Sequence, residues 1–143
     1  MRATALQRRT TPRRRAAPRR RHDPGYTGET RELARVLRAA WIADPEPCAV
    51  CGSTLRVQGH HVAEKQWIKA LARAFEYSVE RLLRALWDTR NRLWVCERCH
   101  MGHHAFEGGR RISRTLVLTP ALVAFLDEHV LWARFDRAYP EGS

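Results

Sequence analysis

From Thr30 onward, Leu33, Val36, Leu37, Ala40 and Trp41 recur at the three- and four-residue spacing of one helical face. The stripe predicts an amphipathic helix that stops before Pro45 and Pro47. Leu55 to Val62 reads as a strand. Residues 63–90 return to helical periodicity in two blocks, Ile68, Leu71, Ala72 and Phe75, then Val79, Leu82, Leu83, Leu86 and Trp87, with Ser78 placed to cap the second. Leu93-Trp94-Val95 is a short apolar run, and a helical turn over His100 to His104 follows it, closed by Gly108-Gly109. Ile112 to Leu118 reads as a strand, and Thr119-Pro120 as the start of a last helix that runs to about Ala138. The elements imply an α+β domain over 29–143 with no internal repeat.

Residues 1–28 break this pattern. They mix Arg, Pro, Thr, Ala and Gly with almost nothing to bury, so the expectation is a disordered arm. The net charge of +11 is concentrated there: residues 1–22 carry nine arginines and no acid, leaving 17 bases and 15 acids for the rest. A basic arm on a near-neutral body suits a polyanion, because each arginine that neutralises a phosphate releases condensed counterions. Nucleic acid is therefore the leading partner. Such an arm also has the composition of a mitochondrial transit peptide, but Pro12, Pro18 and Pro24 interrupt the helix a transit peptide needs. No run approaches the roughly 18 apolar residues of a membrane span, and the N-terminus lacks an apolar secretion segment, so an intracellular protein with no membrane partner is expected.

Four cysteines fall in two Cys-x-x-Cys hooks, Cys48 with Cys51 and Cys96 with Cys99. Together they offer the four thiolates of a closed tetrahedral zinc site, which is a structural arrangement rather than a catalytic one. Gly52 provides the positive φ that such a knuckle needs. The hooks are separated by 44 residues, far more than the roughly 15–20 of a compact zinc ribbon. Something substantial is built between them.

In and just beyond that interval stand Gly59-His60-His61, then Asn91, then His100-x-x-x-His104 directly after the last cysteine. The order Cys-x-x-Cys, His-His, Asn, Cys-x-x-Cys-His resembles the His-Asn-His (HNH) endonuclease superfamily over roughly residues 48–107. Asn91-Arg-Leu-Trp-Val-Cys96 is similar to the family's Asn-x-Leu-x-x-Cys approach to the second knuckle. The resemblance implies a ββα-metal core, a hairpin followed by a helix, and a metal-dependent endonuclease that leaves 5′-phosphate and 3′-hydroxyl ends. It assigns His60 as a ligand of the catalytic divalent ion, such as Mg²⁺, Mn²⁺ or Ni²⁺, and His61 as the general base. His100 and His104, four apart on a helix, complete the ligand set, with His103 as the substitute for His104. Asn91 orients the base or steadies the metal shell. Compact size and 24 arginines against two lysines also resemble small bacteriophage nucleases encoded beside packaging genes, which implies a role in genome packaging with terminase as a partner and the host cytoplasm as the location.

The chemistry fits the pattern. Neighbouring strand residues diverge, so one histidine can bind an ion while the next reaches a water in line with the phosphate. An imidazole titrating near ~6.5 suits that transfer. Lys65, Lys69, Arg90, Arg92, Arg110 and Arg111 are the candidate DNA contacts, with Arg73 and Arg114 extending two basic clusters. The rival reading is a non-catalytic zinc-knuckle module that binds nucleic acid through its arm. The five tryptophans fall mostly in apolar registers and read as core. The 29 residues between His61 and Asn91 exceed the loop of many relatives in the resemblance. Sequence specificity, single- or double-strand cutting and oligomeric state stay open at this level.

Overall fold

A computed structural model describes residues 27–104 and 112–142. The basic arm, apart from Thr27 and Gly28, lies outside the described residues. The chain is α+β and mostly helical, with one two-stranded antiparallel sheet.

Helix α1 (Gly28–Ile42) starts two residues before the predicted Thr30, because the Thr27 hydroxyl accepts from the Thr30 N–H at 3.3 Å. Of its apolar stripe only Trp41 is buried. Strand β1 (Val57–His61) pairs with β2 (Arg92–Cys96) in a register that sets Val57 opposite Cys96 and His61 opposite Arg92. The strands are joined not by a tight turn but by helices α2 (Lys65–Ala74) and α3 (Val79–Leu86) and a single 3₁₀ turn over Thr89–Asn91. Ser78 caps α3 as expected, its hydroxyl accepting from Arg81 N–H at 3.1 Å. Helix α4 (Glu97–His104) follows β2 without a linker, so the hairpin and its helix come in the order β, β, α.

The expected strand over Ile112 to Leu118 is helix α5 (Arg114–Val117) instead. A strand needs a ladder partner for its backbone groups, and among the described residues this segment lies on neither open edge of the β1–β2 sheet. The Ser113 hydroxyl accepts from Leu116 N–H at 3.3 Å and nucleates a turn that buries Ile112 and Val117. Helix α6 (Pro120–His129) has the expected Thr119 cap and proline first turn, but the single last helix expected to about Ala138 is broken where Val130 takes a left-handed φ of 53°, and α7 (Trp132–Ala138) is a separate helix. Phe125, Leu126 and Phe135 from these helices pack with Ile68 of α2 and Val95 of β2, so the C-terminal helices close over one side of the hairpin. Among the described residues, no helix is long and apolar enough to cross a membrane.

Candidate metal centre and histidine site

The first hook is a tight knuckle. Cys48 N–H donates to Ser53 O at 2.8 Å, Gly52 N–H donates to Cys48 O at 2.8 Å, and Gly52 takes φ +76°. Ala49 N–H donates to Trp94 O at 2.9 Å and fastens the knuckle beside β2, whose last residue is Cys96. Cys99 lies in the first turn of α4, its N–H directed at Cys96 Sγ at 3.5 Å. All four thiols are free, and their sulfurs lie within 4.8 Å of one another, with Cys51 Sγ to Cys96 Sγ at 3.7 Å. Thiolates about 2.3 Å from a central ion stand about 3.8 Å apart along a tetrahedron edge, so the spacing fits. Cys48, Cys51, Cys96 and Cys99 are positioned to bind a metal ion.

Their electrostatics agree. Burial pushes the Cys48 thiol up, but the N–H groups of Cys96, Cys51 and Val50 and the Cys51 side chain outweigh it and hold Cys48 down at about 6. Cys99 is pushed up to about 12, by burial and by the neighbouring thiols Cys96, Cys51 and Cys48. The cluster thus favours one thiolate and suppresses the next; a cation between the sulfurs removes that repulsion.

Strand alternation sends the two adjacent histidines to opposite faces of the hairpin. His60 is buried, its ring 5.0 Å from that of His100 and 5.2 Å from that of His103, both on α4. His60 Nε2 also lies 3.4 Å from the Tyr139 hydroxyl. Gln58, one pleat away, holds His100 Nδ1 at 2.6 Å. The Gln58 atom in that contact is the amide nitrogen, which donates to Nδ1, so in the neutral ring Nε2 carries the proton, and a metal at Nε2 would require the Gln58 amide turned over.

His103 is differently engaged. Ile112 N–H donates to its Nδ1 at 3.2 Å, so in the neutral ring Nε2 bears the proton, and it faces the Tyr139 hydroxyl at 3.4 Å. The α4 spacing therefore brings the substitute His103 beside His60, with both ring nitrogens engaged, while the side chain of His104 lies outside the described residues. Among the described residues only the four cysteines bring three or more candidate ligand atoms within 4.8 Å. The histidines are adjacent without forming a closed set.

His61 occupies the other face. Its ring stacks on Trp41 at 4.2 Å and meets the edge of Trp87 at 5.6 Å. Gly59 makes room for that stack, because a Cβ there would stand 2.6 Å from Trp41 Nε1. His61 Nε2–H donates to Leu86 O at 2.7 Å, which leaves the lone pair on Nδ1. Burial, reinforced by the charge of Lys65 and only partly offset by the Leu86 carbonyl, lowers His61 to about 4. The expected base titrating near ~6.5 is thus a neutral imidazole throughout the physiological range.

Asn91 is wholly buried, and its side chain is committed to the main chain. Oδ1 accepts from Ala63 N–H at 2.6 Å, Nδ2 donates to Ala63 O at 2.9 Å, and Asn91 O accepts from Val62 N–H at 3.1 Å. The expected direct contact with the base or the metal shell is replaced by a staple that holds the exit of β1, two residues past His61, against the entry to β2.

The basic candidates divide. Lys65 and Lys69 are exposed on one flank of α2, with the Lys65 ammonium 4.7 Å from the Trp87 ring. Burial, then the charges of Lys69 and Arg38, lowers the Lys65 pKa, which marks a cationic patch on the His61 side. Arg90 is already engaged by carboxylates: it pairs with Asp88 at 2.7 Å and with Glu128 of α6. The Arg92 guanidinium donates to Trp41 O at 2.7 Å and lies 4.6 Å from the Trp94 ring, clamping α1 to the hairpin. Arg110 and Arg111 lie outside the described residues. Tyr139, just past α7, was missed in the sequence; no local pattern connects it to a histidine 79 positions earlier.

No family model, no curated protein and no solved structure matches this chain. The features that define it are its two sites: four cysteines placed to hold a metal ion, beside a hairpin and helix that carry paired histidines.

Proposed function

We propose that the protein is a metal-dependent DNA endonuclease whose cysteine cluster holds a structural zinc ion. The observation that carries the reading is the division of labour across one hairpin. His60 and His100 meet on the α4 face, while His61 on the other face is locked by the Leu86 carbonyl into the tautomer that keeps Nδ1 open as a proton acceptor. His60 and His100 would hold the divalent ion, with His104 as third ligand, or His103 once released from Ile112. When bound, such an ion supplies Lewis-acid stabilisation of the scissile phosphate and the leaving 3′-oxygen.

The chain's own groups do the rest. His61 Nδ1 takes a proton from the attacking water while Leu86 O keeps the ring oriented. With a pKa of about 4, His61 is fully deprotonated at pH 7 but a weak acceptor, so the transfer depends on the acidity of the water. Asn91 is a positioning residue, since its staple fixes the backbone after His61. Lys65, Lys69 and Arg38 supply positive potential beside the base.

Nicking of supercoiled plasmid with Mg²⁺, Mn²⁺ or Ni²⁺ tests the reading, comparing wild type with His61→Ala. Loss of at least about a hundredfold in rate is expected for removal of a general base. Equal cleavage by the two proteins overturns the assignment of His61, and no cleavage with any metal leaves a binding module.

A further inference from the structure

Helix α2 has two unlike flanks. Lys65 and Lys69 occupy the flank beside Trp87 and His61, whereas Trp67, Ala70, Leu71 and Ala74 face a groove toward α7. The groove comprises adjoining hollows of about 510 and 260 Å³ that share Arg134 and Arg137. These two arginines sit one helical turn apart on α7 and are exposed. Neither forms an ion pair among the described residues; Arg137 Nε donates only to Ala133 O, at 3.3 Å. Among the described residues no carboxylate lines either hollow.

Both walls of this groove lead to the histidines. Helix α2 begins four residues after His61, and α7 ends at Ala138, a groove residue whose neighbour Tyr139 reaches His60 Nε2 at 3.4 Å. We infer that the α2–α7 groove is a second DNA-binding surface, in which Arg134 and Arg137 contact phosphates of the strand that continues into the His60 side of the site. The inference rests on the nuclease reading and adds the path of the substrate to it. Two unpaired guanidiniums attract a polyanion, and the alanines at 70, 74, 133 and 138 leave the walls low enough for a backbone to approach. The half-buried Trp67 indole offers a flat face at the same end, on which a base or sugar can rest. With the Lys65 patch on the other flank, α2 would lie between two cationic tracks, one on each side of the reacting phosphate.

The test uses the full chain carrying Arg134→Gln and Arg137→Gln together, both exposed positions, with Arg35→Gln as a control away from the groove. Binding of a labelled DNA duplex is followed by fluorescence anisotropy over a series of KCl concentrations, without added catalytic metal. Loss of two phosphate contacts makes the negative slope of log K against log salt shallower by about 1.8, at about 0.9 per contact. In plasmid cleavage the same variant raises KM, whereas the Arg35→Gln control does not. A slope equal to that of wild type and of the Arg35→Gln control overturns the groove assignment while leaving the nuclease reading intact. Absence of DNA binding by wild type overturns both, and binding without cleavage overturns the nuclease reading and the strand's path into the site, leaving the salt slope to decide the groove contacts alone.

Discussion

Replacing Asn91 by alanine removes two hydrogen bonds from a site that water does not reach. The Ala63 N–H, now 2.6 Å from Oδ1, and the Ala63 carbonyl, now 2.9 Å from Nδ2, belong to a residue with 0 % exposure, so neither finds a substitute partner. Each orphaned group costs about 1–3 kcal/mol, so Asn91→Ala should destabilise the fold by about 2–6 kcal/mol, against a total of about 5–15 kcal/mol for a domain. Asn91→Asp separates this account from simple loss of packing. The aspartate keeps the acceptor for Ala63 N–H but turns a second acceptor toward the Ala63 carbonyl, so its native pKa rises above the unfolded value of about 3.9. Its deficit is therefore full above that raised pKa and shrinks as pH falls through it, because the protonated acid donates as the amide did. Urea denaturation of metal-loaded protein, with each variant compared to wild type at pH 7 and again in acid, measures both effects. An Asn91→Ala penalty within about 0.5 kcal/mol, or an Asn91→Asp deficit that does not shrink in acid, would refute the staple.

Gly59→Ala should force Trp41 away from His61, since the new Cβ would stand 2.6 Å from Nε1. The expected cost is about 1–3 kcal/mol, and quenching of tryptophan fluorescence by the stacked imidazole should change; unaltered stability and fluorescence would show that the ring moves freely. Native mass spectrometry should find one zinc ion per chain held by the cysteines, and Cys96→Ser should release it and lower the melting temperature, whereas retention of the metal would reassign it to the histidines. Burial lowers both His61, to about 4, and His129, which is enclosed by Phe125 and bonded to Tyr77 at 2.9 Å. Folding keeps both neutral, so their contribution is complete above the unfolded pKa near ~6.5 and is lost as pH falls below it toward the native values. Stability should decline over that acidic window, and His129→Gln should flatten the decline; identical pH profiles would remove His129 as a cause.

What could be read in the sequence was local. Thr119-Pro120 and Ser78 announce helix starts because a cap acts over three residues, and paired cysteines two apart imply a knuckle without knowledge of the rest. Ile112 to Leu118 misled because its apolar run is equally at home in a strand or a buried turn, and the choice depended on a pairing partner the fold does not supply. Arg90 looked like a phosphate contact beside Asn91 until Glu128, 38 residues later, came to meet it. Asn91 and His61 stood out by residue type, but their partners, the Ala63 backbone and the Leu86 carbonyl, have no side-chain identity to read. Tyr139 reaches the site only through the packing of α7.

The long insert between the paired strands has a consequence for how this scaffold can change. The cysteine clasp holds both ends of the segment, and closing a longer loop costs only about 0.6 kcal/mol for each doubling of its length. Residues near the α2–α3 junction, such as the exposed Phe75 and Glu76, can therefore be lengthened or exchanged with little penalty. The last turn of α3 has no such freedom, because Leu86 supplies the carbonyl that fixes His61 and Trp87 walls its ring. Variation in the insert is thus divided by position: its middle is open to new contacts, and its final turn is bound to the chemistry.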